Sequence, residues 1–531
     1  MAIVYQKDKR SGITYAYESK SYWDKEKKQS RAKRTLIGRV DETTDTIIPT
    51  DGRVRKQRQK LLELAKQPLP KRYFYGATYL LDQIGKKLGI VEDLRTCFPD
   101  RYTQMLSLAY FMILEDKSPL SRFGKWAGLH RHPSGEPIPS QRSSELFASI
   151  TEAQKQQFFH LQGSRKLEHE YWTYDTTSIS SYSQQLEQVR YGKNKEHDKL
   201  PQIHLALVFG QESQLPFYYR KLSGNVPDSK TIRALIADLQ QVGYAKVKLI
   251  LDRGFYSAAN VHALYKSHIK FLLAVQMSLT YIRAELDAIY DQFRSFETYN
   301  RTYELYARTV RTSWDYTQPR PYKGDTLTEQ RRMYIHFYYN SDKAAEDEKQ
   351  FDRTLQELYD ELASGKLKPG HSKQYEKYFS VKQTPKRGKR ITVKQEAVAE
   401  AKRYYGFFAL ISNQRMDAIE ALELYRNKDL VEKAFGNVKE RLNMRRMLTS
   451  SESSLDGKLF VAFVGLIFLS YIKKQMQDTQ LFEQYTMNEV LDTLDVIECY
   501  AYPGKRLQAR ELLDKQRDIY LALGVDPPSS L

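Results

Sequence analysis

Apolar positions along the chain change period several times, and each change predicts a different kind of element. Over residues 13–40 the period is two. Ile13, Tyr15 and Tyr17 alternate with polar residues, a charged turn DKEKKQSRAKR follows, and TLIGRV resumes strand character, predicting a β-hairpin. The lysines and arginines at that turn either track a phosphate backbone or solvate an exposed hairpin. VRKQRQKLLELAK at 54–66 predicts a helix that stops before Pro68 and Pro70. From 73 to about 160 the apolar residues keep helical spacing in ATYLLDQIGKKLGIVEDL, QMLSLAYFMILED, SRFGKWAGL and SSELFASI. Several short helices in a basic region suit a helix-turn-helix DNA reader, and equally a plain helical bundle.

The pattern then becomes α/β. HEYWTYDTTSISSY predicts a strand through Asp175, while LPQIHLALVFG and QLPFYYRKLSG flank a polar turn as a hairpin. A helix starts at Pro227–Asp228–Ser229, AKVKLILDRG is a buried strand ending at Asp252, Ser257 caps a second helix, and IKFLLAVQ is the next strand. Residues 281–402 interrupt this order with two strand-like runs, a long polar helix and the basic loop KQTPKRGKR. A structureless loop of that length is improbable in a compact domain, so an inserted β-rich subdomain is expected. YYGFFALIS and the run YRNKDLVEKAFGNVKERLNMRRM follow, and two more helical stretches lie near 487–499 and 505–523.

In that last long run Tyr425, Lys428, Glu432 and Lys439 have offsets of 3, 7 and 14 from the tyrosine. At about 100° per residue they fall within roughly 60° of one another on a helix. Val431, Phe435, Val438 and Leu442 make the opposite, buried stripe. One carboxylate is thus flanked by two cations and a phenol, groups able to hold a phosphate beside a metal ion; an ordinary solvated face has the same composition.

Charge and cysteine content narrow the class. The 531 residues carry a formal net charge of +19, which points to a polyanionic partner, nucleic acid before a membrane surface. With only Cys97 and Cys499, neither a disulfide framework nor a thiolate zinc site is available, and a reducing cytoplasm fits. MAIVYQKDKR lacks the apolar core of a signal peptide. Leu459–Ile472, the longest apolar run, is short for a bilayer span and predicts a buried helix, so no membrane association is expected. The histidines show no HExxH spacing, and no GxGxxG or P-loop sequence occurs, which argues against a zinc hydrolase, dinucleotide binding and NTP hydrolysis.

Three acids stand out together. If the first and fourth strands of the α/β unit are parallel neighbours, Asp175 and Asp252 emerge side by side near a topological switch point, where open α/β sheets bind ligands. Glu432 can close the site from a helix packed on the sheet. Hard carboxylate oxygens suit Mg²⁺ or Mn²⁺, and two such ions stabilise both oxygens of an in-line phosphoryl displacement. Each acid has a plainer reading: Asp175 as a turn former, Asp252 paired to Arg253, Glu432 as half of an i, i+4 pair.

These residues resemble bacterial insertion-sequence transposases of the DDE type, most closely the subgroup with Y-x2-R-x3-E-x6-K around its final glutamate. The matching segments are YDTTS at Asp175, LPQIHLALVFG with PFYYRKLSGN, LDRGFYS at Asp252, and YGFFALISN leading into the Tyr425–Lys439 run. Lys428 stands where many members carry arginine, and a lysine gives no bidentate fork to a phosphate. The resemblance implies an RNase H-like mixed-sheet core at 166–280 and 403–475, interrupted by an insertion subdomain at 281–402. A basic hairpin (1–50) and a helical DNA-binding region (51–165) would precede that core, and a helical region (476–531) would follow it. It also implies cut-and-paste transposition. Asp175, Asp252 and Glu432 would hold two Mg²⁺ or Mn²⁺ ions, and Tyr425, Lys428 and Lys439 would contact phosphate. The partners would be duplex DNA with terminal inverted repeats, target DNA and a second subunit, in a bacterial cytoplasm at the nucleoid. A nuclease that cuts without joining, and a DNA-binding protein without catalysis, are the alternatives.

Overall fold

The computed structural model describes residues 2–50, 71–165, 170–183, 186–192, 199–244, 247–320, 324–384, 388–442, 444, 446–447, 451–502 and 507–528. The helix expected at 54–66 lies outside them. The chain divides into two compact units, one of Met1–Tyr73, Cys499–Arg510 and Ser529–Leu531, the other of Phe74–Glu498 and Glu511–Pro528.

In the first unit the expected hairpin is part of a four-stranded antiparallel sheet: β1 (Ala2–Lys7), β2 (Thr14–Asp24), β3 (Gln29–Val40) and β4 (Ile47–Pro49). The turn is tighter than the charged run suggested. Strand pairing starts at Asp24↔Gln29, with Lys28 in the left-handed region at φ 48°, so Arg31, Lys33 and Arg34 lie on a strand.

The second unit opens with helices α1 (Gly76–Lys87), α2 (Ile90–Cys97), α3 (Tyr102–Leu114), α4 (Ser140–Ala148) and α5 (Glu152–Ser164). The apolar period over 77–94 predicted one helical stretch, but it breaks at Gly89, which takes φ 72°. A Cβ there would also stand 2.6 Å from the Arg165 guanidinium carbon. That arginine is held by Asp93 at 2.5 Å, a carboxylate that also accepts from Gln162 at 2.6 Å.

A large mixed sheet follows. Its strands are β5 (Tyr171–Ser181), β6 (Gln202–Gly210), β7 (Pro216–Ser223), β8 (Lys248–Leu251) and β9 (Lys270–Val275), with α6 (Asp228–Gln241) and α7 (Ala258–Lys266) between them. The order across this part is β7-β6-β5-β8-β9; β5, β8 and β9 run parallel, and β6 is antiparallel to both β5 and β7. The interrupting segment behaves differently from a body set apart. Its long hairpin, β10 (Leu305–Arg320) and β11 (Asp325–Tyr339), joins the same sheet because β11 pairs with a later strand that also pairs with β9. The rest of the segment forms the long helix α8 (Ser341–Ser364), α9 (Ser372–Tyr378) and the small hairpin β12 (Phe379–Thr384)–β13 (Gly388–Val393), around a minor core of Leu358, Leu362, Tyr375 and Phe379. The later strand is β14 (Phe407–Ser412).

After β14 come α10 (Ala418–Arg426), α11 (Asp429–Gly436) and a π-helical turn, Asn437–Arg441. Helix α12 (Glu452–Asp478) is long and apolar enough to cross a membrane, yet its apolar residues from Leu455 to Ile472 are buried in the protein, as expected for that run. It packs against α1, α3, α4 and β7, with Phe460 and Phe463 edge-on to Phe159 and Phe468 edge-on to Tyr110. Helix α13 (Met487–Asp495) and helix α14 (Asp514–Ala522) complete the unit.

Candidate active site

Parallel pairing of β5 with β8 runs from Tyr171↔Lys248 to Tyr174↔Leu251. Continued by one rung, the same register sets Asp175 opposite Asp252, on strands spaced about 4.8 Å apart. Neighbours on one rung point to the same side of a sheet. Apolar strand residues on both sides force the register: Ile250, Leu251, Trp172 and Tyr174 are all buried. Asp175 sits within the strand, and its Oδ1 accepts the Thr176 amide at 2.7 Å. Asp252 ends its strand and caps a 3₁₀ turn, Arg253–Phe255, accepting the Arg253 amide at 2.7 Å. Each aspartate therefore accepts the next residue's amide, Asp175 from within a strand rather than a turn and Asp252 from the backbone of Arg253.

What the local bonds do not explain is the convergence on Asp252. Its Oδ1 also accepts the Tyr425 hydroxyl at 2.6 Å and lies 3.4 Å from the Lys428 ammonium. The same ammonium is 3.7 Å from Glu432 Oε1. One cation thus bridges two of the three acids, while Glu432 is 58% exposed and open to solvent. Burial opposes ionisation of Asp252, but the Tyr425 hydroxyl and the Lys428 charge outweigh it and hold the carboxyl below its usual range. Burial and the Asp252 charge, with a smaller contribution from Asp175, push the Tyr425 phenol far above neutrality, so it stays a donor.

The helix carrying Tyr425 is fixed at both ends. Asp417 and Glu420 form a capping box at its start, where the Tyr338 hydroxyl also donates to the Ala418 carbonyl at 2.6 Å. At its end Gln211 Nε2 donates to the Leu424 carbonyl at 2.6 Å. Between them Ala418, Ala421 and Leu422 pack on Ile250, Leu272, Ala274 and Leu410 of the sheet. Each leucine or isoleucine among them contributes about 1.5–3 kcal/mol when fully buried.

The single helix expected over Tyr425–Lys439 is broken. Asn427 and Lys428 form a turn between α10 and α11, and after Gly436 the Leu442 amide bonds to the Asn437 carbonyl, five residues back. Val431, Phe435, Val438 and Leu442 are buried as their spacing predicted. Lys439, within the π turn, is buried too, at 9% exposure. Sequence reasoning passed over Asp228: its Oδ1 accepts the Thr176 hydroxyl at 2.6 Å, next along the strand from Asp175, and its Oδ2 lies 3.5 Å from where a Gly254 Cβ would be. The only sequence signal there was a helix start.

A model of the transposase DDE domain matches residues 172–468, more than half of the chain, and this span contains all three acids. The chain belongs to the DDE transposase family. Membership makes DNA its partner, and the family uses divalent metal ions. No curated protein sequence matches the chain. Among solved structures, a cryo-EM structure of the piggyBac transposase synaptic complex with hairpin DNA is similar at 12% identity, over 78% of this chain and 70% of that one, with a TM-score of 0.34. In this DDE-domain protein the oxygen-only donor set fits a hard divalent cation in kind. Among the described residues, however, no three such side chains form a ready ligand cluster, since Lys428 stands between Asp252 and Glu432.

Proposed function

We propose that this chain is the transposase of a bacterial insertion sequence, moving DNA by cut-and-paste at terminal inverted repeats. The observation that carries the reading is the parallel pairing of β5 with β8 up to Tyr174↔Leu251, the residues just before Asp175 and Asp252, with Tyr425, Lys428 and Glu432 joined to Asp252. An RNase H-like core is supported by the order β7-β6-β5-β8-β9 with β6 antiparallel.

Asp175, Asp252 and Glu432 would hold two Mg²⁺ or Mn²⁺ ions, which when bound acidify water and neutralise charge on the attacking and leaving oxygens. Water oxygen bonds to phosphorus at the element's end, the bond to the 3′-oxygen breaks, and that oxygen takes a proton to become a 3′-OH. The 3′-OH then attacks a target phosphodiester, forming one P–O bond as another breaks. Tyr425 orients Asp252, and the Lys428 ammonium, now paired with Asp252 and Glu432, would turn to a phosphate when those carboxylates hold their ions. Tyr425 and Lys439 are read as further phosphate contacts, Lys439 the least accessible of them. A dimer pairing two ends, at the nucleoid of a bacterial cytoplasm, completes the proposal.

Replacing Asp175, Asp252 or Glu432 by alanine should leave binding to inverted-repeat DNA intact and reduce Mg²⁺-dependent cleavage by more than 100-fold. Cleavage retained in any one variant removes that residue from the site. The bridging position of Lys428 favours one second reading, a DNA-binding protein that does not cleave. Absence of cleaved or joined product from the parent chain with Mg²⁺ or Mn²⁺ would select it.

A further inference from the structure

The hairpin β2–β3 runs well past the sheet it belongs to. Strand β1 pairs with β2 only over Thr14–Ser19, and β4 pairs with β3 only over Gly38–Val40. From Lys20 to Arg34 the two strands bond only to each other among the described residues, and every residue except Asp24 is exposed. This stretch has seven lysines and arginines against Asp24 and Glu26. Among the described residues, its ion pair is that of Arg31 with Asp24, at 3.4 Å. Lys20 stands directly opposite Lys33, and like charges facing across a strand pair destabilise it. Two large rings, Tyr22 at 50% and Trp23 at 63% exposure, are also left in solvent.

An isolated two-stranded ribbon is marginal in water, and this one adds charge repulsion and bare aromatic surface to that weakness. Both features become favourable against a polyanion with stackable faces. The pairing sorts the ribbon into two sides. Lys20, Lys33, Tyr22 and Arg31 share one; Trp23 shares the other with the small residues Ser21, Ser30 and Ala32, which allow close approach.

We propose that the β2–β3 ribbon is a duplex-DNA-binding element, separate from the acid site and outside the region matched by the DDE-domain model. Lys20, Arg31, Lys33 and Arg34 meet phosphates, Trp23 lies against sugar or base edges, and the ribbon occupies a groove that admits two strands. The choice of DNA rests on the transposase reading.

The test uses the full chain carrying Lys20→Gln, Arg31→Gln, Lys33→Gln and Arg34→Gln, with its melting temperature checked against the parent. A 30-base-pair duplex is titrated over a range of NaCl concentrations. At about 0.9 per lost phosphate contact, the slope of log K against log salt should become shallower by about 3 to 4, and affinity at 0.1 M NaCl should fall at least tenfold. Trp23→Phe should abolish part of the tryptophan fluorescence change on duplex addition. An unchanged slope and affinity overturns the proposal. So does binding to phosphatidylserine–phosphatidylcholine vesicles that duplex DNA fails to displace. A parent chain that binds duplex through the ribbon but never cleaves keeps this inference and removes the catalytic one. A ribbon variant that cleaves and binds as the parent does removes this inference alone.

Discussion

Asp252 Oδ1 takes three bonds, from the Arg253 amide, the Tyr425 hydroxyl and the Lys428 ammonium, and Oδ2 takes none among the described residues. That asymmetry leaves one oxygen available to an incoming cation. It also makes Tyr425→Phe informative. The Asp252 pKa is lowered in the folded chain, so its contribution is fully present above the unfolded value near 3.8 and is lost as pH falls through the lower folded value. Removing the hydroxyl should destabilise by about 1 kcal/mol at pH 7 and pH 5. The difference between the melting curves should narrow below about pH 4 as the carboxylate protonates; a difference that persists at pH 2.5 would assign the loss to packing instead. Asp175 and Asp252 stood out in the sequence because each ends or interrupts an apolar strand run, and Glu432 because a phenol and two cations flank it in the run from Tyr425. The burial of Lys439 was not legible, since nothing in the hydrophobic period marks the π turn it sits in. Asp228 gave no chemical signal, because its meeting with Thr176 depends on how α6 packs across the sheet.

Elements were read best where the apolar period is strong, as for β5, β8, α6 and α12. Helix α5 was not singled out although Thr151 and Gln154 form a capping box before Phe158 and Phe159, a signal present in the sequence. The hairpin β10–β11 was legible as two strands, but its destination was not. Which sheet edge a strand joins is decided by long-range pairing, here with β14 some 70 residues later, and strand propensity carries no such information. The crossing of α12 over α4 gives a sharp test of the packing. A Cβ at Gly457 would stand 2.1 Å from the Phe147 carbonyl oxygen, against backbone that cannot yield locally. Gly457→Val should lower stability by about 1–3 kcal/mol or more, read from the urea midpoint. Gly124→Ala, in the short helix Phe123–Ala127 with nothing within 4 Å, should be neutral or slightly stabilising. Equal midpoints for both variants would place α12 elsewhere.

At the scale of the whole molecule, one large sheet positions Asp175, Asp252 and the interrupting hairpin, and α10 brings Tyr425 across it to Asp252. Family membership settles the class of enzyme domain and its DNA partner; the metal chemistry turns on whether Lys428 yields its place between Asp252 and Glu432. Crystals soaked in Mn²⁺ and measured at a wavelength where manganese scatters anomalously address that directly. The account predicts anomalous peaks within coordination distance of both Asp175 and Asp252, with Glu432 completing the set and the Lys428 ammonium displaced. Mn²⁺ absent from all three acids at saturating concentration, or bound only at other carboxylates, would contradict it.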